Sequence, residues 1–92
     1  AFIYLYAQAF VEYAKSVDID ETVARDLFAK SLIGSAKMIT DSGKSLDELI
    51  EMVSSKGGTT IAGLEKLREG GLPKAVEECC KACTKRAYEL SK

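Results

Sequence analysis

The chain begins with Ala1-Phe2-Ile3-Tyr4-Leu5-Tyr6-Ala7-Gln8-Ala9-Phe10-Val11-Glu12-Tyr13-Ala14, and this stretch decides how the protein must fold. Twelve of the fourteen residues are apolar, and the two exceptions, Gln8 and Glu12, stand four positions apart. Residues four apart share one face of an α-helix, so the stretch predicts a helix that is apolar around most of its surface. A few short helices in one chain cannot cover such a helix, whereas a second copy of the chain can.

Composition excludes several classes of protein. The 92 residues form one domain, and 47% hydrophobic with 29% charged residues is typical of a globular protein. Thirteen basic and fourteen acidic side chains give a net charge of -1, so we expect no nucleic-acid partner. The sequence has no His, which excludes imidazole metal sites and Ser-His-Asp triads within this chain. The apolar stretch at the start is too short to span a bilayer, so we also expect no membrane association.

The three cysteines, Cys79, Cys80 and Cys83, fall within five residues. An odd number so close together is no disulfide framework, which favours a reducing, cytoplasmic compartment. A tetrahedral metal site would need a fourth ligand, and we expect no metal here. Cys is commonly a small buried residue, so the sequence predicts that these side chains pack in a core.

A single Pro and the absence of strand-like alternation predict an all-α fold of about five helices. The expected bounds are residues 2–17, 21–40, 46–53 and 60–69, followed by a last helix with Pro73 in its first turn that ends near residue 90.

Three features predict the helix ends. Asp18 and Glu21 fit a capping box for the second helix, and Asp20 is a rival N-cap. Gly43 is expected to end that helix in the left-handed conformation. Ser45 and Glu48 form a clearer capping box for the third helix.

Two helices carry stripes that we expect to be buried. The stripe of the second helix consists of Ala24, Leu27, Phe28, Ser31, Ser35 and Met38, and that of the last helix consists of Val76, Cys80, Cys83, Ala87 and Leu90. Gly34 and Ser35 lie in mid-helix, where small residues allow another helix to approach closely.

The segment Ser55-Lys56-Gly57-Gly58-Thr59-Thr60 precedes and opens the fourth helix. Glycines let backbone N–H groups approach a ligand, and a helix N-terminus adds free donors for a carboxylate or phosphate. The residues alone leave two interpretations open, an anion site or a tight loop with an N-cap. The segment is not a Walker A loop, because Leu64 stands where that motif requires Lys, and the chain has no G-x-G-x-x-G motif.

In context, this loop resembles the signature of the pyrroline-5-carboxylate reductases. The matching residues run from Val53 to Leu64 and include Leu67 and Glu69-Gly70-Gly71-Leu72. The family's usual run is Val-Thr/Ser-Ser-Pro-Gly-Gly-Thr/Ala-Thr. Two upstream segments, Leu32-Ile33-Gly34-Ser35-Ala36-Lys37-Met38 and Asp41-Ser42-Gly43, also resemble the family.

The resemblance implies the fold and extent of the domain. Residues 1–92 are expected to be the C-terminal helical dimerisation and substrate-binding domain, an intertwined dimer of the 6-phosphogluconate-dehydrogenase C-terminal-like type. The N-terminal Rossmann domain lies outside this chain, and Ala1 falls where the chain leaves the connection between the two domains.

The resemblance also implies an activity. The full enzyme is an oxidoreductase that reduces Δ1-pyrroline-5-carboxylate to L-proline, the last step of proline biosynthesis, with NADPH or NADH bound mainly by the absent domain. The 92-residue chain alone is expected to be inactive. Its partners are a second copy of itself, further dimers in a ring, and the small-molecule substrate or product.

The implied site lies in the Gly-rich loop. Ser55, Gly57, and the backbone N–H groups of Gly58 and Thr59 would hold the substrate carboxylate. The Thr60 hydroxyl would be the catalytic group, directed at the ring nitrogen to assist its protonation. Lys56 departs from the family, which usually has Pro there; it is expected to be solvent-exposed, with a looser loop or an added cation as alternatives.

An alternative function stays open at this point. The chain could be a stand-alone helical dimerisation or small-carboxylate-binding module without catalysis. For the reductase, the residues that distinguish NADH from NADPH lie outside the chain.

Overall fold

The computed structural model describes residues 1–54 and 58–91, and within these ranges all regular structure is helical. The five helices are α1 (Phe2–Ser16), α2 (Glu21–Asp41), α3 (Leu46–Ser54), α4 (Gly58–Glu69) and α5 (Leu72–Leu90). The predicted all-α fold is confirmed. Most predicted ends lie within a residue of the observed ones, but α4 begins at Gly58, two residues earlier than predicted.

The chain divides into two compact units, Ala1–Leu49 and Ile50–Lys92, and the division falls within α3. In the first unit, α1 packs against α2. Val11, Ala14 and Ala24 are buried, with exposed fractions of 8%, 2% and 0%. The Phe28 ring of α2 lies 5.8 Å from the Tyr6 ring and 5.6 Å from the Phe10 ring of α1, measured between centroids. Small side chains therefore let the two backbones approach, and the aromatic rings fill the space beside them.

The turn between α1 and α2 corrects one prediction. Asp18 has a φ of 64°, so it is the left-handed residue that ends α1 and not an N-cap for α2. Its N–H donates to the Lys15 carbonyl at 3.1 Å, and the Ile19 N–H donates to the Ala14 carbonyl at 2.9 Å. These two bonds are the Schellman motif, which satisfies carbonyls at the C-terminus of a helix. Asp tolerates this conformation better than most residues because its short side chain is polar.

Asp20 is the N-cap of α2, as the rival interpretation predicted. Its carboxylate accepts from the Thr22 N–H at 3.0 Å and from the Val23 N–H at 3.4 Å. The predicted Asp18–Glu21 capping box is wrong, because a left-handed Asp18 belongs to the helix that it follows.

We expect substitutions at these two aspartates to act in opposite directions. Asp20→Ala should lower the free energy of unfolding by about 1 kcal/mol, because two N–H groups lose their acceptor. Asp18→Gly should leave it unchanged or raise it by up to about 1 kcal/mol, because Gly adopts a positive φ without steric cost. Urea denaturation followed by circular dichroism measures both. A larger loss for Asp18→Gly than for Asp20→Ala would contradict the assigned caps.

The predicted capping box of α3 is confirmed. The Ser45 N–H donates to the Glu48 carboxylate at 2.9 Å, and the Glu48 N–H donates to the Ser45 hydroxyl oxygen at 3.1 Å. Hydrogen bonds from the Ser45 backbone and then from its hydroxyl lower the pKa of Glu48. The contribution of this pair to stability is therefore present above the ordinary pKa of a glutamate and is lost as the pH falls through the lowered value. Gly43, with a φ of 71°, is left-handed as predicted.

The predicted buried stripe of α2 is mostly uncovered within the chain. Ala24 is buried and Phe28 is half-buried, but Leu27, Ser31, Ser35 and Met38 are exposed. A methyl group placed on Gly34 would meet no atom within 4 Å, so no helix of the described chain approaches closely there. The periodicity shows which residues of α2 share one face. The described residues of this chain leave most of that face exposed.

In the second unit, Gly70 and Gly71 join α4 to α5. Gly71 is the N-cap residue of α5 with a φ of 83°, and Pro73 stands in the first turn as predicted. The Gly71 N–H donates to the Arg68 carbonyl at 3.0 Å, and the Gly71 carbonyl accepts from the Ala75 N–H at 2.8 Å. A residue with a side chain would be strained at Gly71, so glycine makes this short connection possible.

The cysteine prediction needs correction within the single chain. Cys79 is half-buried, whereas Cys80 and Cys83 are exposed, and all three are free thiols. The rest of the predicted stripe of α5, Val76, Ala87 and Leu90, is exposed as well. These side chains do not form a core among the described residues of one copy.

Several large apolar side chains of α1 are exposed in the single chain. Phe2, Tyr4, Leu5 and Tyr13 are exposed, Leu5 by 66%. Exposed large apolar groups in such a cluster are typical of an interaction surface. In the described part of the chain, no helix combines the length and apolar character needed to cross a membrane.

Candidate functional site

The described part of the Gly-rich segment is the first turn of α4. Gly58, Thr59 and Thr60 are its first three residues. The first N–H groups of a helix have no carbonyl partner within it and stand at the positive end of the helix dipole. The earlier start of α4 thus places the backbone N–H groups of all three residues at the end of a helix that suits an anion.

Thr60 lies inside the helix and not at its cap. It is the third residue of α4, and its side chain is half-buried. Among the described residues its hydroxyl makes no hydrogen bond. The tight-loop interpretation would make Thr60 the N-cap of this helix. An N-cap precedes the first helical residue, so that role does not fit the third residue of α4.

Three of the singled-out residues, Ser55, Lys56 and Gly57, lie outside the described residues. Their predicted roles stay predictions. The residue before them, Ser54, ends α3, where its hydroxyl donates to the Ile50 carbonyl.

The first turn of α4 can bind and orient an anion, but it cannot supply a strong acid or base. Its side chains are hydrogen and two hydroxyls, and it carries no acidic residue that would repel an anion. Over residues 1–54 and 58–91, no group of three or more His, Cys, Asp or Glu side chains is arranged to hold a metal ion. The available chemistry is hydrogen bonding from N–H and O–H groups.

A groove that the sequence pattern does not indicate lies between α1 and α2. Its volume is about 370 Å³, and it is lined by Tyr4, Ala7, Gln8, Val11, Glu12, Glu21 and Arg25. Lys15 pairs with Glu12 at 3.7 Å and with Glu21 at 3.5 Å. The periodic pattern shows only the apolar members of each helix, so it could not reveal a groove with charged walls.

These observations define a class of protein. The chain is an all-α domain: its most apolar helix keeps large apolar side chains exposed in a single copy, and a Gly-rich segment of the sequence precedes a helix start that suits a small anion. A family model described as pyrroline-5-carboxylate reductase dimerisation matches residues 1–90. The chain belongs to this family.

Individual relatives agree with the family match. The chain is 37% identical over 90 residues to pyrroline-5-carboxylate reductase 3 of Danio rerio, with 98% of this chain and 31% of that protein covered. It is 32% identical over 90 residues to pyrroline-5-carboxylate reductase 2 of Bacillus subtilis, covering 98% and 32%. It is 36% identical over 91 residues to pyrroline-5-carboxylate reductase of Pisum sativum, covering 99% and 33%. The chain thus spans about a third of the length of these relatives.

Proposed function

We propose that residues 1–92 are the C-terminal dimerisation and substrate-binding domain of a pyrroline-5-carboxylate reductase, an enzyme that reduces the C=N bond of Δ1-pyrroline-5-carboxylate to give L-proline. The observation that carries this proposal is the start of α4 at Gly58, within a chain that matches the family over residues 1–90. The names of the relatives support the reaction, and the helix start supports a substrate that carries a carboxylate.

Every residue of the segment except Lys56 has a proposed task. The N–H groups of Gly58 and Thr59 hold the substrate carboxylate, with the Ser55 hydroxyl and the backbone at Gly57 completing its surroundings. The Thr60 hydroxyl hydrogen-bonds to the ring nitrogen and assists its protonation. The half-buried position of Thr60, with no hydrogen bond to its hydroxyl among the described residues, supports this last task.

The residues present do not fit a dinucleotide cofactor. The sequence has no G-x-G-x-x-G motif, and residues 1–54 and 58–91 contain no strand to precede one. NADPH or NADH therefore binds elsewhere in the enzyme, mainly on a Rossmann domain. We expect the 92-residue chain alone to be inactive.

The proposed partner is a second copy of the chain. The description of the family as a dimerisation domain and the exposed apolar side chains of α1 support a homodimer. Assembly of dimers into a ring is a further part of the proposal. The three free thiols support a reducing, cytoplasmic compartment.

A chimera tests the proposed function. The matching third of pyrroline-5-carboxylate reductase 2 of Bacillus subtilis is replaced by residues 1–92, and oxidation of NADPH or NADH is followed with pyrroline-5-carboxylate as substrate. We expect the chimera to turn over at a rate within about tenfold of the parent, and the 92-residue chain alone to give the buffer rate.

Two results would contradict the proposal. A chimera that is folded and dimeric but inactive, with the Pisum sativum reductase as a second acceptor giving the same result, would favour a stand-alone binding module. Turnover by the isolated chain would show that the division between substrate and cofactor domains is wrong.

A further inference from the structure

The proposed function does not use the three thiols of α5. Cys79 is half-buried, and Cys80 and Cys83 are exposed. They lie in the middle of a 19-residue helix, well away from either end. Their backbone is therefore held at regular helical spacing.

Helix geometry brings Cys79 and Cys83 together. Side chains four residues apart stand about 5–6 Å from each other at their Cβ atoms on one face. Cys83 is also the thiol that acts most strongly on Cys79, ahead of Cys80, as expected for two side chains on one helix face. Cys80 instead lines a neighbouring surface groove with Lys81, Thr84, Lys85 and Tyr88.

The number of sulfur atoms limits what the pair can bind. A structural zinc site takes four ligands, and the described residues offer no group of three or more metal-ligating side chains. Thiolates select soft centres. A monosubstituted trivalent arsenical keeps one bond to carbon and needs two sulfur ligands, held at a bent angle that two adjacent sulfurs provide.

We propose that Cys79 and Cys83 form a dithiol site for monosubstituted trivalent arsenicals, which bridge two successive turns of α5. The reaction with an arsine oxide is a condensation. The As=O oxygen leaves as water with the two thiol protons, and two As–S bonds form. Arsenic stays trivalent, so no oxidant or reductant is required.

The surroundings of Cys79 favour a chelating reagent over a simple alkylating one. Partial burial, and then the neighbouring thiols of Cys83 and Cys80, raise the pKa of Cys79. At neutral pH this thiol keeps its proton and is a weak nucleophile. Cys83 is exposed, so a bifunctional reagent reacts there first and closes on Cys79 in an intramolecular step.

The test uses phenylarsine oxide with the full chain under native conditions. We expect intact mass spectrometry to show one arsenical per chain. The adduct should be removed by 2,3-dimercaptopropanol and should persist in an equal concentration of glutathione. The two As–S bonds link residues one turn apart in α5. The adduct should therefore also raise the melting temperature, followed by circular dichroism at 222 nm.

Three single substitutions locate the site. Cys79→Ala and Cys83→Ala should each lower the apparent affinity about a hundredfold, because the second bond no longer forms within the molecule. Cys80→Ala is the matched control and should bind like the unmodified chain. Ala favours a helix, and Cys79→Ser and Cys83→Ser provide a second pair if an Ala variant fails to fold.

Three results would overturn the proposal. If Cys79→Ala binds phenylarsine oxide as tightly as the unmodified chain does, the site consists of Cys80 and Cys83 instead. Binding only after addition of urea would show that the pair is inaccessible in the assembled protein. Removal of the adduct by glutathione as readily as by the dithiol would show attachment to a single sulfur.

Discussion

Thr60→Val should lower kcat/KM for pyrroline-5-carboxylate by about a hundredfold or more in an active chimera or full-length enzyme. One positioned group that assists proton transfer typically contributes a factor of that size. Val keeps the β-branched shape of Thr and removes only the hydroxyl. Hydride transfer needs no protein nucleophile, so a measurable rate should remain.

Two readouts separate this role from a structural one. Thr60→Ser keeps a hydroxyl and should retain most of the activity, and it serves as the matched control. The melting temperatures of both variants should stay close to that of the parent, because Thr60 lies within α4 and does not cap it. If Thr60→Val melts early but turns over normally, the catalytic role is wrong and the backbone of the segment must carry the site.

Leu5→Glu should convert the proposed dimer into monomers at micromolar concentration. Leu5 is 66% exposed in the single chain, although α1 packs against α2. Burial of a Leu side chain contributes about 1.5 kcal/mol or more, and a symmetric dimer buries two copies. Loss of about 3 kcal/mol weakens association roughly a hundredfold, before the cost of placing a carboxylate in the interface is added.

The control for this experiment lies on the same helix. Gln8→Glu adds the same charge to the polar stripe of α1 and should leave the dimer intact. Sedimentation equilibrium at several concentrations measures both variants. A parent chain that sediments as a 10.0 kDa monomer would contradict the proposed dimer, and so would a Leu5→Glu variant that associates as tightly as the parent.

Features that depend on a few neighbouring residues could be predicted from the sequence. The Ser45–Glu48 box and left-handed Gly43 were predicted correctly, because each follows from residue type and spacing alone. Asp18 and Asp20 could not be told apart in this way. Both can accept hydrogen bonds, and the backbone conformation of the turn determines which of them caps α2.

Features that depend on a partner could be predicted only in part. The pattern identified an apolar face on α2, but in one copy Leu27 and Met38 stay exposed. Periodicity shows which face must be covered and not which chain covers it. For the candidate site, the sequence predicted a helix start that suits an anion. The position of Thr60 inside α4 depends on where the helix begins, which the structure shows.

The turn at Asp18 has a consequence for the order of events in folding. Its two Schellman bonds join residues close in sequence. The ring contacts of Phe28 with Tyr6 and Phe10 close a loop of about twenty residues around this turn. Contacts between near neighbours close small loops at low entropic cost, so the α1–α2 hairpin is positioned to form early. Pairing of two chains is a second-order step, whose rate depends on how often partners meet. The folded hairpin would then remain monomeric, with part of α1 exposed. The concentration of newly made chains in the cell, and not the folding of the hairpin, would limit the rate at which dimers form.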